Sequence, residues 1–255
     1  MKLLTLARDL RRRRARERDA LCVVEGVRAA EELLNSPLRI HGVLAAPQLG
    51  STSRGAALLQ RLEEQGIERG FDVVHIDERE FRSAAETESP QGILAIAHVP
   101  ERSFETIELS TQLRLLVLDG VQDPGNVGTI LRTAAALGAT ATVALPGTVD
   151  LWNAKVVRGA MGAHFRHHAF HASVEQLGAY LRNANASLWA TDMTGAPLGT
   201  FDAPDRLAIA VGNEGSGVSP AVAALATHTI SLPIRDVESL NVAIATGIFL
   251  YELRS

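Results

Sequence analysis

LRLLVLDGVQDPGNVGTILRTAAALGA (113–139) is the stretch whose reading decides the fold. It opens on an apolar run of strand length and passes through a polar turn, Asp123-Pro124-Gly125-Asn126. It closes on small apolar residues with helical spacing. Two later stretches repeat the pattern, LAIAVGNEGSGVS (207–219) and ISLPIRDVESLNVAIATGIFLYEL (230–253). Each has strand-like apolar residues, then a loop rich in Gly, Asn, Asp, Glu or Ser, then a helix-like segment. A fold that gathers three such loops at one end of a parallel sheet builds a ligand site there.

Working outward, strands are predicted at 113–118, 140–145, 187–191, 207–211 and 228–232. They alternate with helices near 126–137, 153–162, 174–184, 219–226 and 240–253. Such alternation implies an α/β domain over 113–255 with a parallel sheet covered on both faces. Residues 100–112 begin with proline, lack a continuous apolar face and read as a linker. Before it, residues 1–99 read as a smaller α/β domain. Its helices are expected at 1–18, 26–35, 54–66 and 78–86, and its strands at 20–25, 40–46, 71–76 and 92–99.

Two domains suit a chain of 255 residues, of which 46% are hydrophobic and 21% charged. The single cysteine, Cys22, excludes an intramolecular disulfide and a cysteine-based metal site, and fits a cytoplasmic protein. No apolar run is long enough to span a membrane. Net charge is −4, yet residues 1–20 carry eight basic side chains against three acidic ones. A basic arm holding Arg11, Arg12, Arg13 and Arg14 on an acidic body is a means of touching a polyanion. A solvated amphipathic helix is the plainer alternative.

The loops offer chemistry of their own. Asn126 can cap the helix that follows it. Arg132 lies six residues on, in a small apolar helix packed on a sheet, where a charge needs a partner. A phosphate or a carboxylate would serve, and Glu214 is available. Gly212, Gly215 and Gly217 permit positive φ and close backbone approach, although a plain tight loop competes. Their order fits neither a dinucleotide fingerprint nor a P-loop. Glu214 itself points to a ligand with cationic or hydrogen-donor character. In the third stretch Ser239 and Asn241 stand at a helix N-terminus, with Ser239 the natural cap.

Together these residues resemble motifs 1, 2 and 3 of the SpoU (TrmH-like) branch of the SPOUT RNA methyltransferases. Motif 1 is matched as N-x-G-x-I-x-R-T-A (Asn126 to Ala134) and motif 2 as G-N-E-G-x-G (Gly212 to Gly217). Motif 3 is matched between Leu232 and Glu252. Asn153, Lys155, Val157, Arg158 and Gly162 resemble the family's N-P-K-V-V-R-x-S-x-G segment. VVEGVRAAEELL (23–34) and Pro90-Gln91-Gly92 are similar to the L30e-like RNA-binding domain of many members.

The resemblance implies a C-terminal trefoil knot, a homodimer and S-adenosylmethionine held largely by backbone groups. It assigns that cofactor to Leu145, Gly212, Leu232 and Leu240, with Ile230 and Asn241 close by. The reaction implied is methyl transfer to a ribose 2′-hydroxyl of RNA, ribosomal RNA first and transfer RNA second. Arg132 would clamp the target phosphate, because a guanidinium is rarely deprotonated. Asn126, Glu214, Ser239 and Asn241 would orient it and the ribose. Arg11 to Arg14, Lys155 and Arg158 are expected on RNA. A non-catalytic RNA-binding protein of the same fold is the reading from another class.

His164, His167, His168 and His171 invite a metal site, but on a strand-like stretch they would point to both faces. No metal is expected. Trp152, Trp189 and Cys22 read as packing residues.

Overall fold

The computed structural model describes residues 2–108 and 110–254. Leu109 of the expected linker, Met1 of the expected first helix and the terminal Ser255 lie outside the described residues. The chain divides into two compact units. One is formed by residues 1–101 with 152–166, the other by 102–151 with 167–255.

The first unit holds a mixed four-stranded sheet of β1 (Leu21–Glu25), β2 (Ile40–Ala45), β3 (Asp72–His75) and β4 (Ile93–His98). Its order is β1-β4-β2-β3, with β4 antiparallel to both neighbours and β2 parallel to β3. The helices are α1 (Leu3–Asp9), α2 (Arg13–Asp19), α3 (Val27–Leu34), α4 (Ser53–Arg69) and α5 (Glu78–Ala84), joined by α7 (Ala154–Gly159) from later in the chain. Leu6, Leu10, Leu21, Val23, Leu44, Phe81, Leu94 and Ile96 form one buried cluster.

The single helix expected over 1–18 is two helices. The break is built by Arg16, which is 7% exposed. Its Nη1 donates to the carbonyls of Leu10 (2.8 Å) and Arg11 (2.9 Å). Those are carbonyls that the end of α1 leaves without helical partners, so the guanidinium closes one helix from inside the next.

The second unit holds β5 (Leu113–Asp119), β6 (Ala141–Ala144), β7 (Ala169–His171), β8 (Ser187–Pro197), β9 (Arg206–Gly212) and β10 (His228–Ser231). They form one sheet in the order β10-β8-β9-β5-β6-β7, and every pairing is parallel. All seven residues of β5 are buried, as a central parallel strand requires. Helices α8 (Val174–Ala184) and α9 (Pro220–Ala223) contribute Leu177, Leu181 and Val222 to a core with Leu115, Val117, Val143, Ala208 and Ala210. Helices α6 (Pro124–Ala136) and α10 (Val242–Glu252) pack on each other, and α10 also packs on β9.

Two features of this sheet depart from expectation. The histidine-rich stretch, read as strand-like throughout, is a strand only over β7, and a 3-10 turn at Ala163–Phe165 precedes it. Strand β8 runs longer than 187–191, because residues 191–195 leave the ladder before pairing resumes at Ala196. Gly195 is fixed there by space, since a Cβ would stand 2.7 Å from the Ile230 carbonyl carbon.

Each histidine of that stretch has its own surroundings. His164 is buried against the Trp152 ring, and His167 Nε2 meets Thr142 Oγ1 at 2.8 Å. His168 meets the Ser103 carbonyl at 3.2 Å, while His171 Nε2 accepts from the Leu151 N–H. Among the described residues no group of three or more His, Cys, Asp or Glu is placed to hold a metal ion. No helix among them is long and apolar enough to cross a membrane.

Candidate functional site

Sheet register brings the loops after β5, β6 and β9 together. Asp119 pairs with Gly212, and Leu118 with Ala144, so the chain leaves β5, β6 and β9 at one level. In an open parallel sheet this carboxyl end is where ligands bind. The loops are latched there. Thr148 Oγ1 donates to the Leu118 carbonyl (2.8 Å) and accepts from Gly120 N (3.1 Å). Asn213 Nδ2 donates to the Gly120 carbonyl (2.9 Å), while its Oδ1 accepts from Gly215 N and Ser216 N. The Leu145 N–H donates to the Leu118 carbonyl at 2.9 Å.

The glycines of 212–217 do different jobs. A Cβ on Gly212 would stand 2.0 Å from the Gly217 carbonyl carbon, so Gly212 is needed for the loop to close on itself. Gly217 supplies φ +69°, whereas Gly215 meets nothing closer than 3.6 Å.

Asp123, not Asn126, caps α6, accepting from Asn126 N at 2.7 Å with Pro124 in the first turn. The Asn126 side chain is thereby free for other partners. Its Nδ2 donates to Glu214 Oε1 (2.9 Å), and its Oδ1 accepts from Asn241 Nδ2 (3.0 Å). Asn241, not Ser239, caps α10, with Oδ1 accepting from Ala243 N (2.9 Å) and more weakly from Ile244 N (3.4 Å). The cap fixes which end of the Asn241 amide is oxygen, and that in turn fixes Asn126 with its nitrogen toward Glu214. One carboxylate, two amides and a helix terminus form a single polarised chain. Ser239 is exposed and forms no side-chain hydrogen bond among the described residues.

Arg132 does not pair with Glu214. It lies on the exposed stripe Thr129, Arg132, Ala136 of α6, while Val127, Ile130, Leu131 and Ala134 turn inward. The expectation of a buried charge thus failed on helical phase, and among the described residues Arg132 has no side-chain partner.

Asp119, Gly120, Gln122, Pro146, Asn213 and Ser216 border a cleft of about 330 Å³ at the loop end of the sheet, completed by Gly217 and Ser219. Leu145 and Gly212 adjoin this lining, whereas Ile230, Leu232 and Leu240 are not part of it. Asp119, Asn213 and Thr148 were missed by sequence reasoning. A carboxylate closing the apolar run LRLLVLD was the available signal for Asp119.

In the first unit Arg11 to Arg14 are all exposed. Arg11 lies 4.0 Å from Glu86, Arg12 bonds Asp9, and Arg13 Nε bonds Glu17 Oε1 at 2.7 Å. Arg14 has no side-chain partner among the described residues. Lys155 is exposed on α7. Arg158 is partly buried on the same helix: α7 packs on β1, and the guanidinium lies 3.6 Å from the buried Glu25.

Residues 114–251 match the SpoU rRNA Methylase family, and residues 5–95 match the MRM3-like substrate binding domain. The chain is 32% identical to the 23S rRNA (guanosine(2553)-2′-O)-methyltransferase RlmP of Bacillus subtilis, over 97% of this chain and 94% of that protein. It is 31% identical to the 23S rRNA (guanosine-2′-O-)-methyltransferase RlmB of Xanthomonas campestris, over 76% of this chain and 82% of that one. Among solved structures, the AdoMet-bound rRNA methyltransferase of Sinorhizobium meliloti superposes with a TM-score of 0.85 at 26% identity. That alignment covers 99% of this chain and 94% of the other. With its motifs on one sheet end and a matched family over more than half its length, this chain belongs to the SpoU rRNA methylase family.

Proposed function

We propose that the chain transfers a methyl group from S-adenosylmethionine to a ribose 2′-hydroxyl of ribosomal RNA. The observation that carries this reading is the Glu214–Asn126–Asn241 chain, anchored on the same helix that exposes the unpartnered Arg132. One relative over nearly the whole length and another over 76% of this chain are rRNA 2′-O-methyltransferases, which supports the substrate class. When bound, S-adenosylmethionine supplies an electrophilic methyl group on a sulfonium.

The cleft fits such a group by its chemistry. It is lined by backbone turns and neutral polar side chains, and Asp119 opens a buried carboxylate onto it. Gly212 and Leu145 set the backbone at its rim, and Ile230, Leu232 and Leu240 lie on the segment reaching Asn241. We assign the donor to these groups.

A ribose hydroxyl is a poor nucleophile at neutral pH, so this chain must orient it and favour loss of its proton. Arg132 stays charged and grips the target phosphate, stabilising negative charge as it develops on the hydroxyl oxygen. Glu214, held by Asn126, accepts a hydrogen bond from the ribose, and Ser239 at the exposed mouth contributes a second polar contact. Arg14 and Lys155, exposed cations of the first unit, meet the RNA backbone. Residues 1–99 form the RNA-binding domain, joined through 100–112 to the transferase domain over 113–255.

Helix α10 is apolar on all sides, yet Ile244, Ile248 and Tyr251 are exposed. Such a face calls for a partner, and we assign it to a homodimer. Residues 232–241 lead from the edge strand β10 to Asn126 in the first turn of α6, the path expected of a trefoil knot. The bacterial relatives support a cytoplasmic location.

Mapping 2′-O-methyl groups on rRNA incubated with the protein and S-adenosylmethionine tests the reading. Arg132→Lys is expected to lower the single-turnover rate at least about tenfold while donor binding is unchanged. A near-normal rate would remove the bidentate clamp.

A further inference from the structure

Asp119 is 7% exposed, and among the described residues its carboxylate receives one hydrogen bond, from Ser219 N at 2.6 Å to Oδ2. It has no ion pair there. A buried carboxylate can accept about four hydrogen bonds and is costly when left short of them. Its remaining capacity opens on the cleft, whose other polar side chains, Gln122, Asn213, Ser216 and Ser219, are neutral. The carboxylate therefore has acceptor capacity to spare, and a ligand rich in O–H or N–H groups would use it.

We propose that Asp119 is the acceptor for the ribose hydroxyls of the methyl donor, and so sets the preference for a nucleoside with an intact diol. The inference rests on the reading that this cleft holds S-adenosylmethionine. Three observations favour the diol over the donor's ammonium group. The cleft presents one carboxylate, whereas an ammonium seeks several acceptors around a compact charge. Its volume of about 330 Å³ suits a small-molecule site of nucleoside size. The carboxylate ends a parallel strand at the ligand-binding edge, where an acidic side chain is well placed to accept from ribose. Ser219 holds one carboxylate oxygen and thus orients the other.

Calorimetry with S-adenosylhomocysteine and its 2′,3′-dideoxyribose analogue tests this without turnover. Asp119→Asn keeps an oxygen for Ser219 N but turns N–H donors toward the cleft, where donors are not wanted. The variant is expected to bind S-adenosylhomocysteine roughly 10- to 100-fold more weakly, and the dideoxy analogue within about threefold of wild type. Thermal melting checks that it folds. Equal losses for both ligands, or none for either, would overturn the role of Asp119. Ser216→Trp, which fills the cleft from its exposed rim, tests the underlying reading separately. Weaker S-adenosylhomocysteine binding by this variant supports the cleft as the donor site. Unchanged binding would overturn both the site and the proposal built on it.

Discussion

Asn241 does two things with one amide, and the two can be separated. Its oxygen caps α10 and its nitrogen reaches Asn126. Asn241→Asp retains an oxygen at the cap, in a position where negative charge suits the helix dipole. It also sets a carboxylate oxygen against Asn126 Oδ1, where a donor stood. The amide of Asn126 then turns over or shifts, and Glu214 loses its partner. Stability is expected to stay within about 1 kcal/mol of wild type, while the single-turnover rate falls about tenfold or more. Thermal melts and rapid-quench assays on the same preparation read both quantities, and a loss of stability without loss of rate would reduce Asn241 to a cap. The loops that bring Asn126, Glu214 and Asn241 together were legible in the sequence, because polar loops attached to apolar runs are local signals, whereas the outward phase of Arg132 was not. Which residue capped which helix was not legible either. Asp123 displaced Asn126, and Asn241 displaced Ser239, since each helix starts where tertiary packing of its apolar face begins.

At the scale of elements, α10 states the case for a second subunit. Ala243, Thr246, Phe249 and Leu250 are buried within the unit, so the helix already has its own anchoring face. Ile244 remains 59% exposed and Tyr251 52% exposed on the other side. Ile244 stands at the third helical position, where a glutamate is favourable to the helix itself. Ile244→Glu is therefore expected to leave the monomer fold intact and to convert a dimer to a monomer. Sedimentation velocity of both proteins at micromolar concentration reads this: a monomeric wild type would overturn the proposed dimer, and a variant that stays dimeric would place the interface elsewhere. The alternation of strands and helices across 113–253 was readable because the central strands β5, β6 and β9 are buried almost whole and the loops carry their own turn residues. What escaped was set by distant partners. The break after α1 depends on a guanidinium folding back from Arg16, and the inward turn of Arg158 depends on Glu25. No window along the chain contains both members of the second pair.

For the molecule as a whole, residues 152–166 join the first compact unit although the chain around them belongs to the second. Sequence alternation treats that segment as one more helix of the transferase domain, since nothing local marks which sheet it will cover. This division also gives each unit its own tryptophan, Trp152 in the first and Trp189 in the second. A pH response confined to the second unit can then be followed selectively. His167 is buried there with Nε2 on Thr142, and burial first, then the nearby Arg102 and His168, lowers its pKa from 6.5 to about 4. A folded pKa below the unfolded one means that the unfolded chain takes up the proton first. The contribution of His167 is whole above about pH 6.5 and is lost as pH falls toward 4, by about 3 kcal/mol across that window. His168 is shifted in the same direction by burial and adds to the slope. In a Trp152→Phe background, the urea midpoint read by Trp189 fluorescence is expected to drop steadily between pH 7 and pH 4.5. His167→Gln, which keeps a polar partner for Thr142 but cannot take a proton, should flatten that drop. If the variant and its parent lose stability in parallel, the acid sensitivity of this unit lies in groups other than His167.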